Sequence, residues 1–407
     1  MSEPWHSDQW FTSPWNYLPE VRAPLALPAS IKIHDITLRD GEQQTGVALS
    51  ADEKVRIAEE LAAAGVHRIE AGMPIVSAAD REAIERIVRL ELPSEIFCFA
   101  RCMVPDVERA ADCGVKGIIV EIPASEHIIR TAYNWPLQKA LDLSIEATSR
   151  AKELGLYTVF FPIDASRAEL GWYLDLITKV ATEGHMDALA CVDTFGGTSP
   201  SAIPYLVRTC RERLGKPVEA HFHDDFGCAT ANTLLGLAAG AEVAHVTVAG
   251  VGERAGNAAL EQVVLGLLTM YGVDVGVDTT RLVSLAETVR EAFRLAVPDH
   301  RSIIGRRIFQ IESGIVASWV QQCGEEHLLE LFPYRPELVG QQPVEVTLGK
   351  SSGADSVHQW LARLGLDPVA DQDTLLRLLA ACKQKSIEKK GLLTEDEFKG
   401  IVETVRG

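Results

Sequence analysis

The stretch "IKIHDITLRDGEQQTGVALSADEKVRIAEELAAAGVHRIEAG" (31–72) decides the fold. Its ends, "IKIHDIT" (31–37) and "HRIEAG" (67–72), are short apolar runs of strand length. Between them "SADEKVRIAEELAAAG" (50–65) reads as an amphipathic helix. Ser50 is its N-cap, Glu53 the capping-box partner, and Gly65 stands where a C-cap glycine belongs. Strand, helix and strand in that order make a parallel βαβ unit.

The unit recurs. Further strand candidates are "EIFCFA" (95–100), "GIIVEI" (117–122), "YTVFF" (157–161), "DALACVD" (187–193), "VEAHFH" (218–223) and "VAHVTV" (243–248). Gly114, Gly155, Gly184, Gly215 and Gly240 end the helical stretches between them. Eight units fill roughly the length of an α/β (β/α)8 TIM barrel, with an open doubly wound sheet as the alternative. The expected domains are an aromatic N-terminal arm (1–30), a TIM-barrel catalytic domain (31–280), a helical connector (281–345) and a small, mostly α-helical C-terminal subdomain (346–407). The arm, with Trp5, Trp10, Phe11, Trp15 and Tyr17, carries enough ring area to dock on the body or on a partner subunit.

Composition narrows the function. A formal net charge of −18 argues against nucleic acid or an anionic membrane as a general partner. The eight cysteines form no CxxC pair and several sit in apolar runs, as in a reduced, cytoplasmic protein. There is no apolar run long enough for a membrane span, and the N-terminus lacks the pattern of a signal peptide.

In a barrel the strands' C-terminal ends share one mouth, where active sites sit. Arg39, Asp40, Glu70, Arg101, Glu121, Asp193, Thr194, His221, His223 and "GVGERAGN" (250–257) all fall there. His221 and His223 are two apart on one strand and share a face. Two neutral imidazoles on one inward face are better explained by a shared divalent ion than by packing. Asp40 from the first strand supplies an anionic ligand, and Asn257, after the eighth, a further oxygen. Mg²⁺, Mn²⁺ or Zn²⁺ suits such a set. Asp224 and Asp225 are expected to orient the histidines or to cap the following helix.

"DITLRDGEQQTG" (35–46), "HFHDDFGCATAN" (221–232) and "GVGERAGN" together resemble the DRE-TIM metallolyases. They are most similar to the Claisen-condensing branch of 2-isopropylmalate, homocitrate and citramalate synthases. "LGKSSGADSVHQWLARLG" (348–365) resembles that branch's downstream subdomain, without the leucine-sensing regulatory domain of full-length isopropylmalate synthases. The resemblance implies condensation of an acyl-CoA, acetyl-CoA in the first instance, with a 2-oxo acid on a divalent metal, in a homodimer. Asp40, His221, His223 and Asn257 would hold the metal. Arg39 would stabilise the alkoxide, Thr194 and Arg101 would grip carboxylates, and Gln43 would line the acyl-CoA side. Glu70 is a further candidate for the substrate-binding set. Arg39 could instead be an internal salt bridge to Asp40 or Glu70, and Glu70 and Glu121 could each be a buried partner of an arginine.

The sequence also departs from that branch. "FFPIDASR" (160–167) has Ile163 where condensing members carry a glutamate, and "ESGIVASW" (312–319) has Val316 where they carry a histidine. Neither aliphatic side chain moves a proton. In "ASEHII" (124–129) His127 lies one place early. Three readings follow. One is a synthase whose base has moved to His127, Glu126 or Glu312. Another is a carbon–carbon lyase or aldolase, although "GVGERAGN" lacks the cysteine of hydroxymethylglutaryl-CoA lyases. The third is a silent binding subunit.

Overall fold

The computed structural model describes residues 3–406. Eight parallel strands pair in sequence order and close on themselves: β1 (Lys32–Asp35), β2 (Arg68–Glu70), β3 (Glu95–Arg101), β4 (Gly117–Pro123), β5 (Tyr157–Ile163), β6 (Ala188–Asp193), β7 (Val218–Phe222) and β8 (Val243–Val246). Closure comes from β1 against β8, with His34 beside His245 and Asp35 beside Val246. A helix follows every strand. The open-sheet alternative is therefore excluded.

The helix Ala51–Ala63 begins in the expected Ser50–Glu53 capping box. Lys54, Ile57, Ala58, Leu61 and Ala62 form its buried face, at the spacing of one helical stripe. Five of the six glycines that close the helical stretches adopt left-handed backbone; Gly184 does not (φ −104). There the small residue is needed for space, because an added Cβ would lie 2.6 Å from Thr148 Oγ1.

Strands β1, β2 and β8 stop short of their apolar runs. For β1 the cause is local: Asp35 Oδ1 accepts the Thr37 backbone N–H at 2.9 Å, and Asp35 Oδ2 accepts the Thr37 hydroxyl. That side-chain turn ends the ladder and swings Arg39 and Asp40 into the mouth.

The barrel interior is divided. Phe97, Phe99, Ile119, Val159, Phe161, Ala188, Ala190 and Val192 fill the side formed by β3 to β6. The other side, from β7 round to β2, is polar, with His34, Arg68, Glu70, Glu219 and His245 buried there.

The chain divides into two compact units, 13–297, which holds the barrel, and 298–407 with 1–12. In the second unit helices Ala354–Arg363, Gln372–Lys389 and Glu395–Arg406 share a core built on Val357, Trp360, Leu378 and Phe398. A two-stranded parallel pair joins Gln310–Ile311 to Glu345–Val346. Of the aromatic arm, Trp10 bridges to Tyr334 within this unit, whereas Tyr17 donates to Thr269 O in the barrel unit. Among the described residues no helix is long and apolar enough to cross a membrane.

Candidate metal centre and active site

Three elements bring the candidate ligands together. Asp40 follows the turn after β1, His221 is the penultimate residue of β7, and His223 lies just beyond the strand, bridged through its backbone to Asn257. Asp40 Oδ2 is 3.9 Å from His221 Nε2 and 3.8 Å from His223 Nε2, and the two Nε2 atoms are 3.3 Å apart. All four residues are buried.

The donors suit a divalent cation. His223 Nδ1 lies 3.1 Å from Gly256 O and donates to it, which leaves Nε2 as the free lone pair. Burial, then repulsion from His223, His245 and Arg39, holds His221 well below its usual range; burial also lowers His223, with Asp40 opposing and Arg254 and Arg39 adding to it. Burial works to raise the Asp40 carboxyl, but Arg39, His223 and Asn257 outweigh it and the group is ionised. Asn257 Nδ2 donates to Asp40 Oδ1 at 2.8 Å, while its own Oδ1 is buried without a donor. A buried amide oxygen with no partner is costly in a folded protein, and a cation would satisfy it. Gly252 keeps this cluster closed: a Cβ there would fall 2.2 Å from Asn257 Nδ2 and 2.9 Å from Asp40 Oδ1.

Arg39 stands beside the cluster. Its Nη1 is 2.7 Å from Asp40 Oδ2, its Nε donates to Glu70 Oε1, and its guanidinium lies 4.2 Å from the centre of the Phe99 ring. Nη2 is buried with no acceptor. The internal salt bridge anticipated from the sequence is present, yet it leaves the Nη2 amino group unspent. Gln43 Oε1 is 3.4 Å from Arg39 Nη1. Both residues line a cavity of about 360 Å³ that also reaches Glu42, Lys54, Met73 and Asp80.

The other residues marked in the sequence lie as follows. Thr194 Oγ1 accepts the Asp164 backbone N–H at 2.7 Å, and its carbonyl is held by Arg254. Arg101 is half-exposed and forms a two-pronged pair with Asp106, at 2.7 and 3.1 Å. His127 is half-exposed too, with Nε2 3.0 Å from Asp164 Oδ2. Glu312 belongs to the second unit, where it accepts the Ser351 backbone N–H. Asp224 caps the helix Ala229–Ala238 through the Ala229 N–H, as anticipated, and Asp225 pairs with Arg254.

Two features escaped the sequence reading. Asp164, next to Ile163, gathers Ser125, His127 and Arg167 around one fully buried carboxylate. Deeper in the barrel, Arg68 pairs with Glu219 (2.7 Å), Glu219 with His245 (2.7 Å), and His34 with Glu70 (3.2 Å). The His34 and His245 rings stack at 4.5 Å. His34, Glu219 and His245 are close enough to share an ion, but both Glu219 oxygens are already engaged. The signal was in the strands: Glu219 precedes His221 by two residues, and period two puts it on the same inward face. This network ends on Arg39 through Glu70, so a buried ionic strip underlies the candidate ligand cluster.

The family model described as HMGL-like matches residues 30–289. The chain belongs to the HMGL-like family. It is 36% identical over 399 residues to homocitrate synthase AksA of Methanothermobacter thermautotrophicus, covering 98% of this chain and 99% of that protein. It is also 36% identical over 385 residues to the 2-isopropylmalate synthase of Methanocaldococcus jannaschii, with 94% and 73% covered. Among solved structures, the HMG-CoA lyase of Bacillus subtilis superposes with a TM-score of 0.60 at 22% identity, covering 67% of this chain and 97% of that one. That likeness concerns the barrel fold.

Proposed function

We propose that this member of the HMGL-like family is an acyltransferase that condenses an acyl-CoA, acetyl-CoA in the first instance, with a 2-oxo acid. The products are a 2-hydroxy-2-alkyl polycarboxylate and free CoA. The observation that carries the reading is the unspent Nη2 of Arg39 beside the Asp40–His221–His223 cluster. A buried guanidinium N–H with no acceptor is built for an oxygen that arrives with a ligand, and it strengthens as that oxygen gains charge. The synthases among the chain's relatives support the same reaction class.

Asp40, His221, His223 and Asn257 would hold Mg²⁺, Mn²⁺ or Zn²⁺. Bound there, the ion would supply Lewis-acid chemistry to the ketone of the oxo acid. Arg39 orients the ketone oxygen and stabilises the alkoxide. Glu70 keeps the Arg39 plane fixed by taking Nε, so that Nη2 points away from its protein partners. Thr194, Arg101 and the Arg167 held near Asp164 supply donors for the acid's carboxylates. Gln43 and the cavity it lines would take the acyl-CoA side. A lyase reaction in the same family would use these groups in the cleavage direction.

Calorimetry with a 2-oxo acid tests the site directly. Binding is expected only in the presence of a divalent metal and is expected to weaken in Arg39→Ala. Equal binding without metal would contradict the reading.

A further inference from the structure

Condensation requires a base that removes a proton from the carbon next to the thioester carbonyl. This inference rests on the reaction class proposed above. Most acidic groups around the mouth are engaged elsewhere. Glu70 is held by Arg39 and His34, Asp106 by Arg101, and Asp225 by Arg254. Asp164 carries Ser125, His127 and Arg167. Asp193 accepts from the Ser166 hydroxyl and from the backbone N–H groups of Gly197 and Thr198. Glu126 accepts the Glu169 N–H. His127, at the rim, is tied to Asp164.

Glu121 differs from all of these. It lies near the mouth end of β4, in register with Arg101 on β3 and Phe161 on β5. Ile119, two residues earlier, belongs to the interior cluster, so period two turns Glu121 to the same inward wall. Phe161 in turn packs its ring against His221 at 4.7 Å, which sets Glu121 one strand from a side chain touching the metal cluster. The side chain is only partly covered, and it takes no hydrogen bond or ion pair within the described chain. The charged or titratable groups acting on it are Arg39, Arg101, Tyr133 and the buried Cys102 thiol. Ile163, inward-facing on β5 beside Pro123 of β4, contributes only an apolar wall to this region.

We infer that Glu121 is the catalytic base of the condensation, a carboxylate on β4 that abstracts the proton from the acyl methyl group. Glu121 takes the proton as the C–H electron pair becomes the enolate of the thioester. The enolate carbon then forms the new C–C bond to the ketone carbon, and the ketone π pair passes to its oxygen beside Arg39. The proton on Glu121 is returned to that alkoxide, so the carbon–carbon step is proton-neutral and the base is reset. Water then cleaves the C–S bond to give the carboxylic acid and the CoA thiol. The apolar surroundings push the Glu121 carboxyl up to about 7, with Arg39 and Arg101 opposing, which suits a base working near neutrality.

The test uses the full chain with a divalent metal, acetyl-CoA and the oxo acid that supports turnover, comparing wild type, Glu121→Gln and Glu121→Asp. Folding is checked by circular dichroism and metal affinity, both expected to be unchanged. For Glu121→Gln, kcat should fall by about 10²–10⁴-fold, with the KM of the oxo acid kept within about threefold as an uncomplexed group would require. Wild-type kcat should rise with pH through about 7, and this limb should vanish in the glutamine variant. Glu121→Asp should recover part of the rate and restore the limb. Residual turnover of Glu121→Gln with methyl-deuterated acetyl-CoA should show a larger isotope effect than wild type. A Glu121→Gln enzyme with near wild-type kcat, or one that is slowed but retains the same acid limb, would overturn the assignment. A wild-type chain that releases thiol with no oxo acid would instead overturn the reaction class, and the assignment with it.

Discussion

Replacing Glu70 by glutamine tests the ionic strip beneath the metal cluster. Glu70 is fully buried and takes the Arg39 Nε and His34 Nε2, the latter at 3.2 Å. Burial works against its charge, yet Arg39 and His34 hold the carboxyl below its ordinary range. Removing one partner of a buried pair costs about 3–5 kcal/mol when the other charge is left alone. Here Arg39 keeps Asp40 at 2.7 Å, and glutamine is isosteric, so about 2–3 kcal/mol is the expected loss. For a barrel unit spanning 13–297 that corresponds to a Tm drop of roughly 3–5 °C. The freed guanidinium turns further toward Asp40 and competes with the cation for its oxygen. Metal affinity and kcat/KM should then fall by about 10–100-fold, as for other outer-sphere changes. Differential scanning calorimetry, metal titration and thiol release read the three effects. An unchanged Tm together with unchanged metal affinity would refute the coupling between this strip and the cluster.

Three further outcomes are expected. His223→Ala removes a ligand whose other ring nitrogen is fixed by Gly256, and bound metal measured by atomic emission after dialysis should fall to background; full retention would exclude it from the site. Gly252→Ala drives a methyl group into Asn257 and Asp40 and should weaken metal binding at least as much as Asn257→Ala, measured by the same titration; equal affinity to wild type would mean that the loop yields freely. The third concerns stability and pH. Burial, then repulsion from His245, pushes His34 down to about 4 from an unfolded value of 6.5, so its contribution is intact above pH 6.5 and is lost as pH falls toward 4. His34→Phe should therefore lose less stability over that window than wild type, by about 3 kcal/mol in urea unfolding; parallel losses would remove His34 from the account.

Much of this was readable in the chain. The βαβ repeat led to the barrel because capping residues, apolar stripes and terminal glycines agreed unit by unit. The clustering of these four residues was legible because period two puts His221 and His223 on one face and barrel closure brings Asp40 and Asn257 near them. Strand ends were less legible: at β1 the ladder stops because the Asp35 side chain captures Thr37, a local competition that apolar content does not register. The ionic strip has its residues in plain view at period two, but their pairing depends on register across β7, β8, β1 and β2. Glu121 was the hardest. Its sequence context differs little from that of an arginine's buried partner, and its interest lies in Arg101 having turned to Asp106 instead.

The most direct test of the central claim is release of free thiol from acetyl-CoA by metal-loaded protein, across a panel of 2-oxo acids. Release is expected with at least one oxo acid, lost on chelation of the metal and lost in Arg39→Ala. No release with any oxo acid, from protein shown to hold its metal, would contradict it.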